Sequence, residues 1–323
     1  MKVALDATPL TIANGGIQRY TTQLHAALTE TFPEDRFELM APEPGRWWST
    51  GLPRVLRGHG FSLFHGTDFA VPYLPLSPAV MTLHDLSPWR EEWRGETSSR
   101  VRRRTPWLLR LGLATMVITP TKAIRHEAIK HFGLASDRVV AVPHGVAACF
   151  RPFSEGDGHD RPRYLLTVGT QGRRKNIEIA ITAARAAGLE LWVVGRGEWR
   201  PKPGVRYLGA VAEAELPALY SRAAAFLFPS HYEGFGLPLL EAMACGTPVI
   251  TSRDAALLEV AGGAALHCDA TDPRAWIEAI VAATGQRQDL KQRGLIRAAE
   301  FTWTGSARLT RSIYEEAICR HGR

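Results

Sequence analysis

Residues 231–252 have the sequence HYEGFGLPLLEAMACGTPVITS, in which a glycine loop is followed by a helical pattern and then by an apolar strand. A short apolar run over 225–228 precedes the loop, which spans 229–236. A helix is predicted over 237–245, because Pro238 suits a first helical turn and Gly246 suits a helix end. The stretch therefore predicts a strand–loop–helix–strand unit of a parallel α/β sheet.

The same alternation of strands and helices continues along the chain. Apolar runs predict strands over 3–6, 37–40, 63–65, 79–83, 115–119, 139–142, 164–169, 189–195, 205–208, 225–228, 247–251 and 264–267. Helical patterns lie between some of them, over 17–29, 122–132, 177–187, 216–223, 237–245 and 273–284. Such alternation implies right-handed crossovers and parallel sheets with helices on both faces.

A break in this pattern predicts two domains. In residues 150–163, FRPFSEGDGHDRPR, glycine, proline and charge replace the apolar periodicity, as in an interdomain linker. We therefore predict doubly wound α/β domains over 1–152 and 153–323, with the last helix packing back on the first domain. Ligands of such sheets bind beyond the carboxyl ends of the strands, so the cleft between the domains is the expected site.

Composition is that of a globular protein of 323 residues, with 45% apolar and 22% charged residues. No run of about 18 apolar residues predicts a membrane span, and MKVALDATPL is typical of a buried first strand rather than a signal peptide. The widely spaced Cys149, Cys245, Cys268 and Cys319 favour reduced thiols and a cytoplasmic location. The net charge of +7 is consistent with an anionic partner or with a merely soluble basic surface. No recognition motif predicts nucleic-acid binding.

The opening stretch carries two carboxylates around a helix N-terminus. Backbone N–H groups and the helix dipole make that N-terminus an anion site, and glycines allow close approach of a ligand. A carboxylate is a poor phosphate ligand but a good acceptor of hydrogen bonds from sugar hydroxyls. Glu233 and Glu241 could therefore hold hydroxyls on either side of a diphosphate. The alternative is that Glu233 caps the helix and Glu241 lies on the surface.

Several motifs together resemble the retaining family-4 glycosyltransferases. HYEGFGLPLLEAMACGTPVITS is similar to the E-x7-E signature of that family, and VGTQGRRKN at 168–176 resembles its phosphate segment. NGGI at 14–17 resembles its first glycine loop, and His84-Asp85 its strand-end histidine. VPHGV at 142–146 resembles its P-N-G-V turn, with His144 in place of asparagine. The resemblance covers nearly the whole chain and implies the GT-B fold, two Rossmann-like doubly wound domains facing across a cleft.

The resemblance also implies roles for individual residues in the donor site. Glu233 would bind hydroxyls of the donor sugar, and Glu241 would bind the ribose hydroxyls. Lys175, with Arg174, would neutralise the diphosphate and stabilise the leaving group. The remaining implied donor-binding residues belong to the glycine loop and the start of its helix: Gly234, Phe235, Gly236 and Leu237. The alternative for the two cations is a solvated basic turn.

Further roles fall in the N-terminal half. Gly15 and Gly16 would admit donor phosphate or acceptor near the first helix, and His84 would help to position the reacting sugar. The alternative for His84 is a satisfied core histidine. Many relatives carry an arginine at the position of Thr170. In this chain, Arg173 or Arg174 would have to take the place of that arginine.

The implied reaction is sugar transfer with retention of configuration. No carboxylate pair is arranged as in a glycosidase, and the chain contains no Asp-x-Asp, which predicts an enzyme without metal or other cofactor. MKVALDATPL, HGTDFAVPY and TLHDLSPW most resemble bacterial mannosyltransferases of polysaccharide and O-antigen assembly. GDP-mannose is therefore the expected donor, with UDP-glucose or another UDP-sugar as the alternative. The expected acceptor is a glycan or a polyprenyl-diphosphate-linked glycan.

A basic, tryptophan-bearing segment lies in the N-terminal half. Its members are Arg90, Arg94, Arg100, Arg102, Arg103, Arg104 and Arg110, with Trp89, Trp93 and Trp107. It would suit an anionic bilayer or a lipid-linked diphosphate. The alternative is a solvated helix, and Glu91, Glu92 and Glu96 favour it. We expect peripheral contact with the inner face of the membrane at most.

Two other classes of protein share this architecture. A nucleotide-dependent oxidoreductase or epimerase needs Gly-x-Gly-x-x-Gly after a strand, and the nearest approach, Gly195-Arg196-Gly197, has Arg200 in place of the third glycine. A non-catalytic nucleotide-sugar-binding module is the third interpretation. Release of nucleoside diphosphate during turnover separates it from an enzyme.

Overall fold

The computed structural model describes residues 1–11, 15–41, 47–93, 99–153 and 164–321. The chain forms two compact units, the first from Met1–Gly145 with Thr302–Arg323 and the second from Val146–Phe301. The division falls at 145/146 rather than at 152/153, and the C-terminal segment belongs to the first unit.

The first unit contains a six-stranded parallel sheet in the order β2-β1-β3-β4-β5-β6. Its strands are β1 Lys2–Asp6, β2 Arg36–Met40, β3 Leu63–Gly66, β4 Ala79–Thr82, β5 Met116–Thr119 and β6 Val139–Ala141. Its helices are α1 Thr8–Thr11, α2 Gly15–Thr31, α3 Leu52–Gly58, α4 Ser99–Arg110, α5 Lys122–Phe132 and α12 Trp303–His321. The strand order reverses at β1, as in doubly wound sheets, so the loops after β1 and β3 diverge there.

The second unit contains a six-stranded parallel sheet in the order β12-β11-β10-β7-β8-β9. Its strands are β7 Tyr164–Val168, β8 Glu190–Val194, β9 Val205–Gly209, β10 Ala225–Phe228, β11 Val249–Ser252 and β12 Leu266–Cys268. Its helices are α6 Ile177–Ala186, α7 Leu216–Arg222, α8 Leu237–Ala244, α9 Ala255–Ala261, α10 Pro273–Gly285 and α11 Arg287–Ala299. Here the order reverses between β7 and β10.

The twelve predicted strands are all present in the described residues, with ends shifted by at most two residues. Strands such as β10 and β11 are buried along their whole length, so they appear in the sequence as continuous apolar runs. Some helices were not predicted because little of their surface is apolar. In α11, for example, the buried residues are Leu290, Gly294 and Ala298 alone.

The last helix, α12, completes the first unit. The Tyr314 hydroxyl lies 2.7 Å from Nδ1 of His65, which is fully buried on β3. The Ser306 hydroxyl donates to the Pro143 carbonyl. A Cβ atom at Gly145 would lie 2.2 Å from the backbone nitrogen of Trp303, so only glycine allows the helix to begin this close to the 142–146 turn.

Candidate active site

The candidate donor site lies at the carboxyl ends of β7 and β10. These strands are parallel neighbours, with Ala225 opposite Leu165, so the loops that follow them leave the same edge of the sheet. The loop after β7 carries Arg174 and Lys175, and the loop after β10 carries Glu233. Residues about sixty positions apart in sequence therefore meet at one edge.

Gly236 determines how α8 begins. Its φ is +96°, and a Cβ atom there would lie 2.7 Å from Cδ2 of Leu257 and 3.3 Å from Cε1 of Phe228. Both the backbone conformation and the surrounding side chains exclude a larger residue. This glycine turns the loop into the N-terminus of α8 with no side-chain cap, so the alternative in which Glu233 caps the helix is wrong.

Glu233 forms ion pairs with both predicted cations. Nζ of Lys175 lies 2.5 Å from Oε1 of Glu233, and a terminal guanidinium nitrogen of Arg174 lies 3.3 Å from Oε2. The side-chain exposures of Lys175 and Arg174 are only 17% and 20%, which contradicts the alternative of a solvated basic turn.

The pKa of Glu233 is lowered despite its burial. Burial by itself raises the pKa, but the charges of Lys175 and Arg174, with the hydrogen bond from Lys175, outweigh that effect. Glu233 is therefore ionised at neutral pH. An ionised carboxylate accepts hydrogen bonds from hydroxyl groups, and the adjacent cations attract phosphate.

The basic turn is fixed to the loop that carries Glu233. Asn176 has a left-handed backbone, with φ +51°, and its side-chain amide donates to the carbonyls of Pro229 and Ala270. Arg174 donates to the Tyr232 carbonyl at 2.8 Å, and its own carbonyl accepts from the backbone of His231 at 2.8 Å. These contacts hold the cations and the carboxylate in one arrangement.

Glu241 is buried rather than on the surface, with an exposure of 2%. The Tyr220 hydroxyl donates to its Oε2 at 2.9 Å. The alternative that placed Glu241 on the surface is therefore wrong. Sequence analysis missed Tyr220, which lies on α7, because no short motif links it to Glu241.

The other predicted residues of the glycine loop are buried. Phe235 packs edge-on against Phe301, with ring centroids 5.9 Å apart, and Leu237 is 8% exposed. Gly234 is buried as well. The side chains of Phe235 and Leu237 therefore pack in the second unit, and only their backbones remain as candidates for ligand contact.

Asp254 is a further residue that sequence analysis missed. Its carboxylate accepts from the backbones of Ala256 and Leu257 at the start of α9, and from the backbone of Glu233. Burial, with the charge of Glu233 as a smaller cause, raises the pKa of Asp254 to about 6. The capping pattern D-A-A-L could have indicated the helix start, but not the contact with the loop.

In the first unit, His84 follows β4 and is held in one orientation. Its Nε2 donates to the Thr67 carbonyl at 2.7 Å, which leaves Nδ1 as an acceptor when the ring is neutral. Tyr20 lies edge-on to the ring at 4.9 Å. Burial lowers the pKa of His84, although the hydrogen bond to Thr67 and the charge of Asp85 oppose that effect. His84 is partly exposed, so it is not a fully enclosed core residue.

Gly15 and Gly16 begin α2 and are both exposed. Gly15 has φ +60°, and a Cβ atom at either position would have no heavy atom within 4 Å. Asn14 of the same motif lies outside the described residues. His144, which replaces asparagine in the turn at 142–146, is buried and stacks on Trp303 at 5.9 Å.

Some residues of the basic segment form ion pairs or hydrogen bonds within the first unit. Arg90 pairs with Glu127 at 2.8 Å, and Trp89 donates from its indole to the Arg102 carbonyl. Arg100, Arg103, Trp107 and Arg110 are exposed on α4. Arg94 and Glu96 lie outside the described residues.

The described residues contain neither a cluster of metal-ligand side chains nor a membrane-spanning helix. No three or more His, Cys, Asp or Glu side chains are grouped there as a metal site. No described helix has the length and apolar character needed to cross a bilayer.

Comparison with known proteins identifies the class. A model of "Glycosyl transferases group 1" matches residues 162–286, and a model of "Glycosyltransferase Family 4" matches residues 30–148. The sucrose-phosphate synthase from Thermosynechococcus elongatus has a TM-score of 0.78 at 18% identity, covering 99% of both chains. Anabaena Alr3699/HepE, solved in complex with UDP-glucose, has a TM-score of 0.75 at 16% identity, covering 98% of this chain and 99% of its own. The fold is GT-B, and the protein is a glycosyltransferase.

Curated relatives place the chain in a family. It is 32% identical over 316 residues to O-antigen chain mannosyltransferase B of Escherichia coli, covering 87% of this chain and 79% of that protein. It is also 28% identical over 287 residues to a glycogen synthase of Mycobacterium tuberculosis, covering 81% and 68% of the two chains. The chain belongs to glycosyltransferase family 4. The relatives imply a nucleotide-sugar donor and a glycan acceptor.

Proposed function

We propose that the protein transfers mannose from GDP-mannose to a glycan or polyprenyl-diphosphate-linked glycan, with retention of configuration and without a metal ion. The observation that carries this proposal is the ion-paired group of Glu233, Lys175 and Arg174 beside the N-terminus of α8. It combines an ionised acceptor of sugar hydroxyls with two cations suited to a diphosphate.

In the proposed reaction, Lys175 and Arg174 stabilise the negative charge that grows on the nucleoside diphosphate as the glycosidic bond breaks. Glu233 accepts hydrogen bonds from hydroxyls of the mannosyl group. Glu241 accepts from the ribose hydroxyls, with its orientation fixed by Tyr220. From the first unit, His84 helps to position the reacting sugar, and Gly15 and Gly16 admit donor phosphate or acceptor. The acceptor attacks the face from which the diphosphate leaves, and the leaving phosphate takes the proton of the acceptor hydroxyl.

GDP-mannose is supported by the 32% identity to O-antigen chain mannosyltransferase B. A UDP-sugar is the second candidate donor. It is supported by the glycogen synthase relative and by a 29% identical D-inositol 3-phosphate glycosyltransferase of Pseudarthrobacter chlorophenolicus. Any contact with the inner face of the membrane would use the exposed side of α4, including Arg103 and Trp107.

A thermal-shift panel tests the donor. GDP and GDP-mannose should raise the melting temperature equally with magnesium and with EDTA, because binding to the folded protein stabilises it. If UDP species alone raise the melting temperature, the donor is a UDP-sugar and the enzyme class is unchanged. A response that requires magnesium would contradict metal independence.

Turnover and stereochemistry test the rest of the proposal. Release of GDP from GDP-mannose would exclude a non-catalytic binding module. Proton NMR of the product should show the anomeric configuration of the donor, and an inverted product would contradict retention.

A further inference from the structure

A series of buried hydrogen bonds crosses the first unit from α12 to α2. The Tyr314 hydroxyl lies 2.7 Å from Nδ1 of His65, and Nε2 of His65 lies 2.8 Å from Oγ1 of Thr82. The same Thr82 oxygen lies 3.0 Å from the Tyr20 hydroxyl. These four residues, on α12, β3, β4 and α2, form what we call the buried polar chain. It connects two helices of the first unit through two strands of its sheet.

The buried polar chain carries no charge at neutral pH. Burial lowers the pKa of His65 far below neutrality and raises the pKa of Tyr20 and of Tyr314. The imidazole is therefore neutral and both phenols stay protonated. A buried hydrogen bond between neutral groups adds little net stability, and apolar groups of the same shape can replace both partners at almost no cost. The polar chain is therefore better explained by a need for a fixed orientation than by a need for stability.

Tyr20 is the member of this chain that contacts His84. Its ring lies edge-on to the His84 imidazole, with centroids 4.9 Å apart and an interplanar angle of 84°. The rings of Phe69 and His144 lie farther from the imidazole, at 6.1 and 5.9 Å. Nε2 of His84 donates to the Thr67 carbonyl, which fixes that nitrogen but still allows the ring to swing about it. The edge contact with Tyr20 opposes this movement and so determines where Nδ1, the acceptor of the neutral ring, points.

We propose that Tyr20 is a positioning residue for His84. The rest of the buried polar chain holds the Tyr20 ring in the orientation that this role requires. The part of His84 in sugar transfer belongs to the proposed function, so the effect of Tyr20 on the reaction rate rests on that proposal. The orientation of the imidazole can be measured without it.

The first test removes single hydroxyls and measures GDP release from GDP-mannose by the full-length protein. Tyr20→Phe keeps the ring but loses the contact with Thr82, whose oxygen still contacts His65, so the fold should persist. Its kcat should fall about tenfold, because a misplacement of about 1 Å in a positioned group can cost about 10²-fold. The KM for GDP-mannose should stay unchanged, because the groups proposed to bind the nucleotide belong to the second unit. Tyr314→Phe should lower kcat in the same direction.

Thr310→Val is the matched control for Tyr314→Phe. It also removes a buried hydroxyl from α12, and Oγ1 of Thr310 has no hydrogen-bond partner among the described residues. Its kcat should therefore equal that of the wild type. A wild-type kcat in Tyr20→Phe, or a loss in Thr310→Val as large as that in Tyr314→Phe, would overturn the inference.

Nitrogen NMR of the imidazole rings measures the orientation of His84 without turnover. The wild type should show His84 as a neutral ring protonated at Nε2, and the signals missing in His84→Gln identify it. Tyr20→Phe should shift these signals, whereas Thr310→Val should leave them in place. Unchanged His84 signals in Tyr20→Phe would overturn the inference. A wild type that releases no nucleoside diphosphate from any nucleotide sugar, with His84 signals that shift in Tyr20→Phe, would contradict the proposed function and leave this inference standing.

Discussion

At the scale of single residues, the candidate site depends on a charge arrangement that is costly to build. Burying ionised groups carries a desolvation penalty, and a partly buried ion pair often adds little to stability. Lys175 and Glu233 nevertheless stand 2.5 Å apart with side-chain exposures of 17% and 9%. Such an arrangement is better explained by a need for oriented charges in the reaction than by a need for stability.

Replacing either partner should therefore affect transfer far more than folding. Lys175→Ala and Glu233→Ala should each lower the rate of GDP release by about 10²–10³-fold, since loss of one oriented electrostatic group typically costs a factor of that size. Arg174 still neutralises Glu233 in Lys175→Ala, so the fold should persist. The matched control is Lys202→Ala, which breaks the exposed pair with Glu178 in the same unit. A near-wild-type rate in either site variant would show that its assigned role is wrong.

At the scale of elements, the start of α8 depends on the glycine that precedes it. Gly236 has a left-handed backbone and no room for a Cβ atom between Leu257 and Phe228. The eight-residue helix that follows is buried at every position except Pro238. Its packing therefore fixes the direction in which its N-terminus points.

Substitution at this glycine should damage both the element and the site. Gly236→Ala should lower the free energy of unfolding by about 1–3 kcal/mol, from backbone strain and overpacking, and should weaken GDP binding. Gly263→Ala is the control, because its Cβ atom would meet no heavy atom within 4 Å. Urea denaturation measures the free energy of unfolding, and calorimetry measures the binding of GDP. Equal stability of the two variants would contradict the assigned role of Gly236.

At the scale of the whole molecule, the last helix of the chain closes over a buried histidine from β3. Nδ1 of His65 contacts Tyr314 on α12, and Nε2 lies 2.8 Å from the Thr82 hydroxyl. Burial lowers the pKa of His65 to about 3, with the charge of His84 contributing. In the unfolded chain the pKa of histidine is about 6.5. The folded protein therefore binds fewer protons than the unfolded chain between pH 6.5 and 3, and His65 makes it less stable as the pH falls through this range.

This linkage predicts a pH-dependent difference between the wild type and His65→Gln. Between pH 7.5 and 5.0, the wild type should lose roughly 2 kcal/mol of unfolding free energy that the variant does not lose. Other groups with shifted pKa values, such as Asp254, titrate in both proteins and cancel in the comparison. Urea denaturation at the two pH values measures the difference. A difference that stays constant with pH would contradict a neutral His65 in the folded protein.

The strands, the glycine loop and the family can be predicted from the amino-acid sequence alone. Buried parallel strands are apolar on both faces, and the requirement for glycine at a turn is local, so both features are visible in short windows. The chemistry of Glu233, Lys175 and Glu241 was likewise predicted from motifs, although their roles in catalysis remain predictions.

Contacts between groups far apart in the sequence are visible only in the folded protein. The contacts of Lys175 with Glu233, of Tyr220 with Glu241 and of Tyr314 with His65 span 58, 21 and 249 residues. Hydrogen bonds and ion pairs act over a few ångströms in space, and a local sequence pattern does not specify which remote segment will occupy that space.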